Sequence, residues 1–293
     1  MPDGILVIDK PRDWTSMDVC AKLRGALGER RIGHCGTLDP MATGILVVFV
    51  GRATRAVEFT EGYDKEYEAA LRLGLTTDTQ DVTGRVLEER PAQVSREELE
   101  AALEGFRGSI SQVPPMYSAV KVGGKKLYEL ARRGKEVERR PRQIQIHRLT
   151  LLGQGEEGDW LLRVSCSKGT YIRTLCHDIG QALGCGGTLS RLRRTRVGPF
   201  TRGIPLEEAL RRAKEEGPQA LLTPVEACFA QYPAFQTNPP QARSVYHGAA
   251  FPCTAQEGFY RVYGPEGAFL MLGKVQSGEM RTVKSFFPPP NQT

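Results

Sequence analysis

The 293-residue sequence has no C-x-x-C pair, no internal repeat and no long apolar run. Its seven cysteines (Cys20, Cys35, Cys166, Cys176, Cys185, Cys228 and Cys253) are odd in number and widely spaced. That argues against both a disulfide framework and a zinc knuckle. His34–Cys35 and Cys176–His177 are adjacent pairs, a poor spacing for holding one ion, so no metal site is expected. The longest apolar stretch, Ile45 to Val50, is far too short to span a bilayer. The opening MPDGILVIDK has no basic n-region. A reducing, cytoplasmic setting without membrane association is expected.

What is present is ordinary globular material, 40% hydrophobic and 25% charged. This composition excludes a wholly disordered chain and a collagen-like repeat. At roughly 150 residues per domain, the length suggests two domains. Net charge is +6, a modest figure until it is located. Residues 121–148 hold ten Lys/Arg and three acids, a local +7. Residues 168–196 hold six bases and one acid, a local +5, which leaves −6 on the rest. Clustered bases on an otherwise acidic chain suit a polyanion site, although a solvated helix face has the same signature.

Hydrophobic spacing gives the organisation. Gly4–Asp9 reads as a buried strand, followed by a Thr15/Asp18 capping box and Val19, Leu23 and Leu27 at helical spacing up to Gly28. GHCGTLDPMATG (33–44) reads as a loop feeding the apolar run ILVVFV, which fits a central strand. Tyr67, Ala69, Leu71 and Leu73 alternate, as do Trp160, Leu162, Val164 and Cys166. Ser95 and Glu98 cap a helix carrying Leu99, Leu103 and Phe106. Ile172, Leu175, Ile179 and Leu183 return to helical spacing after SKGT. Strands and helices mix without a βαβ rhythm. The expected class is α+β, with a mixed, largely antiparallel central sheet and flanking helices and loops. The Pro-rich, polar stretch 231–244 reads as a boundary. Beyond it, Phe259–Tyr263, Ala268–Val275 and Met280–Phe286 suggest a small all-β module.

Two loops carry candidate chemistry. An Asp-Pro pair between glycines, as at Asp39, is first of all a turn. Three features add a functional reading: the loop feeds a rigid strand, His34 lies five residues upstream, and a second unusual loop, SKGTYIRT, brings Arg173. A cation in the first turns of a helix opposes the helix dipole, which suggests a purpose beyond helix stability. Paired with Asp39, Arg173 would aim the carboxylate; the alternative is an ordinary surface arginine.

These segments carry a family resemblance. GHCGTLDPMATG, KEYEAALRLGLTTDTQDVTG (65–84), PPMYSAVKVGGKKLYELARRG (114–134), CSKGTYIRTL (166–175) and RLRRTRVG (191–198) together resemble the bacterial TruB family, the tRNA pseudouridine-55 synthases. The resemblance runs in order from Gly4 to about Gly198. It implies a catalytic domain over residues 1–230 with a thumb insertion at about 114–148. The stretch 231–293 is similar to the family's small RNA-binding PUA domain. It further implies Asp39 as the catalytic carboxylate, Tyr67 as the active-site tyrosine and Arg173 as its salt-bridging partner. His34, Tyr171 and Leu192 are implied substrate contacts, and Lys10 a structural or electrostatic support. His34 would fill the space left by a flipped base. Lys121, Lys125, Lys126, Arg132 and Arg133 of the thumb would grip RNA phosphates. The implied partner is the T-arm of tRNA, with no obligate protein partner; a monomer is expected.

The residue types suit the chemistry. Breaking a nucleoside C–N bond leaves positive charge on the sugar, which a carboxylate stabilises or traps, as in glycoside hydrolysis. Uracil leaves as a ring-delocalised anion, so a second, acidic carboxyl is less necessary, and no metal or redox cofactor is required. Whether Asp39 attacks the sugar, attacks the base or removes a sugar proton stays open. Tyr67 suits stacking on uracil, because a phenol with an ordinary pKa of about 10 is a weak resting base. Two other readings stand beside the enzyme: an RNA-binding or tRNA-folding protein with secondary catalysis, and the same chemistry inside a guide-RNA complex. The intact Asp39, Tyr67 and Arg173 set favours the first, and the long thumb argues against the last. Replacing Lys125, Lys126, Arg132 and Arg133 together by Ala should weaken RNA binding and flatten its salt dependence, as fewer counterions are released. A salt series of filter-binding titrations checks this; an unchanged slope would make the cluster only a solvated surface.

Overall fold

The computed structural model describes residues 2–287. Nine strands form the central sheet: β1 (Gly4–Lys10), β2 (Ile32–Cys35), β3 (Thr43–Val50), β4 (Lys65–Leu73), β5 (Gly108–Gln112), β6 (Arg142–Gln154), β7 (Trp160–Cys166), β8 (Gly187–Val197) and β9 (Ile204–Pro205). Their order is β9-β1-β3-β8-β4-β7-β6-β5, with β2 also paired to β3. Only β1–β9 and β3–β8 are parallel, so the sheet is mixed and largely antiparallel as expected. β8 meets β3 only at Thr43 and Gly44, and β2 takes Val47 to Val50.

The continuous run ILVVFV is explained by burial on both faces. Leu46, Val48 and Val50 face α1 (Ser16–Leu27), alongside a further helix at Leu206–Glu215. Ile45, Val47 and Phe49 face the opposite way, toward Phe229, Leu272 and Phe286. α1 starts at the expected Thr15/Asp18 capping box and stops at Gly28 in the left-handed conformation. The other half of the sheet is covered by α2 (Arg96–Glu104) and α3 (Ile172–Ala182), through Leu99, Leu103, Leu175 and Ile179. Phe106, expected on α2, lies just past its end but still packs on this core.

Three sequence expectations need correction. The loop 33–44 is shorter, because Ile32–Cys35 pairs with β3 and places His34 on a strand. The thumb is also shorter at its far end: Arg142 pairs with Gln112, so residues 142–148 belong to β6 and the excursion is 113–141. It holds a hairpin, Lys121–Val122 with Lys125–Lys126, and a one-turn helix, Leu127–Ala131, whose Leu127 is buried. Finally, the stretch 231–244 is regular structure, and the module it opens is not all-β. It forms β10 (Ala234–Gln236) and a helix, α5 (Pro239–Tyr246), which follows α4 (Leu206–Glu215) of the body. The prolines that suggested a break sit at the first helical positions, behind an Asn238 capping box. β11 (Phe251–Pro252), β12 (Gly258–Tyr263), β13 (Phe269–Gln276) and β14 (Glu279–Ser285) complete a five-stranded sheet, β10-β12-β13-β14-β11.

This module is joined to the body by shared core. Phe286 packs 5.7 Å from Phe229, and Arg52 both pairs with Asp3 at 2.9 Å and donates to the Phe286 carbonyl at 3.0 Å. Among the described residues, no helix is long and apolar enough to cross a membrane.

One half-buried group works against stability above acid pH. Burial raises the Asp178 carboxyl on α3 from 3.8 to about 6. A raised carboxyl favours the folded state in acid and costs stability as pH rises through 6. Asp178→Asn should therefore raise the thermal midpoint at pH 8 by roughly 2–4 °C. The gain should shrink through pH 6 and vanish below pH 4; melts followed by circular dichroism at the three pH values check it.

Candidate active site

A cleft of about 480 Å³ opens where the Asp39 loop, β4, β8, the root of the thumb and the start of α3 converge. His34, Asp39, Tyr67, Tyr171, Arg173 and Leu192 all line it. Residues separated by more than 150 positions are thus brought to one place. Lys10 does not line the cleft; it lies behind the Asp39 loop.

That loop is fastened on both sides of Asp39. Leu38 is held by Ser16, whose hydroxyl accepts from the Leu38 amide at 2.9 Å and donates to its carbonyl at 3.3 Å. The Pro40 carbonyl accepts from the Asp13 amide at 2.8 Å and from Lys10 Nζ at 3.3 Å. Lys10 is fully buried, and its ammonium also donates to the carbonyls of Pro11 (2.8 Å) and Trp14 (2.6 Å). Burial lowers Lys10 to about 8, with the nearby Asp13 and Asp39 charges opposing the fall. Its ammonium thus ties the Asp39 loop to the turn that follows β1.

Arg173 reaches the loop from α3. Its Nε lies 2.9 Å from Asp39 Oδ2, while Asp39 keeps its side chain 39% exposed to the cleft. Nη1 donates to the Thr79 carbonyl at 2.9 Å and lies 3.7 Å from Asp81 Oδ2. Nη2 donates to the Tyr117 carbonyl at 2.8 Å. The guanidinium is buried, with every nitrogen given a partner. It is not an ordinary surface arginine.

Asp81 was not singled out by sequence reasoning. Its Oδ1 accepts from Thr79 Oγ1 and from the Thr83 amide, both at 2.9 Å. The signal was the polar, threonine-rich turn DTQDVTG, whose buried acid looked like another turn residue. Gln112 was also missed: its Nε2 donates to the Tyr171 carbonyl at 3.1 Å and its Oε1 accepts from the Tyr171 amide at 2.8 Å.

Tyr67 stands on β4 with only 8% of its surface exposed. Burial raises its phenol above the usual value, and the Arg194 charge pulls the other way. It is a poor resting base, and a ring beside Leu192 suits packing against a planar ligand. His34, half-buried, is pushed below its ordinary pKa by burial and then by Arg194, so it favours the neutral form. Its Nδ1 is buried without a hydrogen-bond partner. Of the thumb bases, Lys121, Lys125, Arg132 and Arg133 are on or near the surface, and none lines the cleft; Lys126 and Arg132 flank the Tyr128 ring.

Comparisons with known proteins identify the family. Residues 24–172 match the N-terminal domain of the TruB family pseudouridylate synthases, and residues 173–230 match the tRNA pseudouridylate synthase B C-terminal domain. The chain is 46% identical over 280 residues to the tRNA pseudouridine synthase B of Stutzerimonas stutzeri, covering 93% of this chain and 91% of that one. It is 42% identical over 294 residues to that of Thermobifida fusca, covering 98% and 99%. Among solved structures, a Cbf5-Nop10-Gar1 complex aligns with a TM-score of 0.73 at 28% identity, covering 98% of this chain and 85% of that chain. An H/ACA RNP bound to a substrate RNA containing 2'-deoxyuridine aligns equally well at 26% identity, covering 98% and 86%. These matches place the mixed sheet and its cleft among the pseudouridylate synthases. The chain belongs to the TruB family.

Asp81 fixes the guanidinium that aims Asp39. Asp81→Asn should lower the single-turnover rate of this site by about 100-fold, with RNA affinity kept. Rapid-quench assays alongside binding titrations check both halves.

Proposed function

We propose that this chain converts uridine 55 in the T-arm of tRNA to pseudouridine, acting as a cytoplasmic monomer without a cofactor. Membership of the TruB family and relatives named tRNA pseudouridine synthase B support uridine isomerisation in tRNA. The observation that carries the site assignment is Asp39, exposed in the cleft and aimed by Arg173 at 2.9 Å.

The reaction exchanges one bond for another. The C1′–N1 bond breaks with its electrons moving to the base, and positive charge develops on the sugar beside Asp39. The uracil anion turns within the cleft against Tyr67 and Leu192. C5 then bonds to C1′, C5 loses its proton, and N1 gains one. Atoms and charge balance without an external reactant. Arg173 keeps the carboxylate in place throughout.

The target uridine must first leave its stack, at a cost of a few kcal/mol. A neutral His34 on rigid β2 suits the gap left behind. Lys121, Lys125, Lys126, Arg132 and Arg133 would contact phosphates, which position RNA without reading its sequence. Recognition would then rest on T-loop shape. Tyr171 sits at the entrance to the Arg173 helix as a further substrate contact, and the module 231–293 serves as a PUA-like RNA-binding domain.

A T-arm RNA carrying C5-tritiated uridine tests the proposal. Wild-type protein should release tritium, and Asp39→Asn should release none while keeping T-arm affinity. Undiminished release by Asp39→Asn would overturn the Asp39 assignment. Release from other tRNA arms but not from the T-arm would overturn the substrate.

A further inference from the structure

The segment RLRRTR runs along β8, and strand alternation divides its arginines. Arg191 and Arg193 point outward, the latter 2.6 Å from Asp9. Arg194 points inward, only 1% exposed, the largest fully buried side chain among the described residues. A buried cation is costly unless it is paired. Arg173 meets two carboxylates, yet among the described residues no Asp or Glu lies within 4 Å of Arg194. The mechanism above leaves this charge unused.

Its partners are backbone. Nε donates to the Ile45 carbonyl at 2.7 Å and Nη2 donates to the Gly36 carbonyl at 2.9 Å. Gly36 and Ile45 bracket the loop that carries Asp39, so one guanidinium spans its two ends. The glycines of GTLDPMATG make room for this. At Gly36 (φ +71°), a Cβ would stand 3.3 Å from Arg194 Nη1. At Gly44 (φ +101°), it would stand 2.2 Å from the Arg194 carbonyl oxygen, an impossible overlap. On its other edge Arg194 is the direct cross-strand partner of Tyr67. Such partners present their side chains on the same face.

We propose that Arg194 is a positioning residue: its guanidinium closes the Asp39 loop at both ends and holds it in register with Tyr67. The carboxylate and the ring thereby keep a fixed separation while uracil detaches and turns between them. The fork geometry matters as much as the charge, because the two carbonyls are reached by different nitrogens. Its buried positive charge, at the lining of the cleft, also favours the detached uracil anion. This inference rests on the pseudouridine-forming reading of the cleft.

Arg194→Lys keeps the charge and loses the fork. With the variant fully folded by circular dichroism and T-arm RNA saturating, single-turnover tritium release should fall about 100-fold. The dissociation constant for T-arm RNA should stay within twofold of wild type. A lesion of the fold alone would lower the rate and the affinity together. A wild-type rate in Arg194→Lys overturns the inference, as does a loss confined to affinity. If Arg194→Lys does not fold, ¹⁵N spectra of the wild-type protein decide. A clamped guanidinium gives separate Nη signals that shift in Tyr67→Phe, and a freely turning one gives a single averaged signal and overturns the bridge. Wild-type release is the control: its absence overturns the proposed function itself.

Discussion

The site depends on the fork of Arg173. Its Nε, Nη1 and Nη2 bind the Asp39 loop, the Thr79–Asp81 turn and the thumb root at Tyr117. These segments are distant in sequence and have little local reason to meet. A guanidinium offers five donors in a rigid plane, so it can fix directions as well as distances. Burial makes the arrangement close to all-or-none, since removing one partner strands a charged group away from water. The same property that makes the site costly to assemble makes it narrow in geometry once assembled.

Around that fork the cleft is rich in cations. Lys10, Lys65 and Arg194 are buried near it, and burial lowers both lysines from their ordinary values. Backbone carbonyls satisfy most of their donors, so little of their charge is cancelled by acids. A reaction that sends an electron pair into a departing base gains from such a frame, because fixed charges need no reorganisation as the anion forms. In the proposed reaction Asp39, with a carboxylate exposed to the cleft, would answer the opposite charge on the sugar. The two signs of that transition state would thus be met by different parts of the protein.

Much of this was legible in the sequence because the elements announce themselves locally. Capping boxes at Thr15 and Ser95, alternation along β4 and β7, and the doubly buried run ILVVFV follow from short-range rules. Asp39 and Arg173 stood out because each sits awkwardly, one between glycines and one against the helix dipole. Asp81, Gln112 and Arg194 did not stand out, because their roles exist only in the fold. A threonine-rich turn, a strand end and a run of arginines read as surface until tertiary contacts bury them. In the basic cluster 168–196, Arg173 and Arg194 are interior and Arg193 pairs with Asp9, so the net local charge overstates what faces solvent. Prolines 239 and 240 misled too, because proline marks a helix start as readily as a break.

The thumb shows how a charged appendage and a rigid site share one chain. Its outer part is a short hairpin and a single helical turn anchored by Leu127, with its bases near water. Its root is different. Gln112 pairs both ways with the Tyr171 backbone, and five residues on, Tyr117 takes a donor from Arg173. The root is therefore fastened to the start of α3 and to the guanidinium paired with Asp39. Phosphate contacts proposed for the tip would be screened by salt and follow the backbone, whereas the buried root would be indifferent to ionic strength. Affinity and alignment can then vary separately along one excursion, because the residues that supply charge are not those that set geometry.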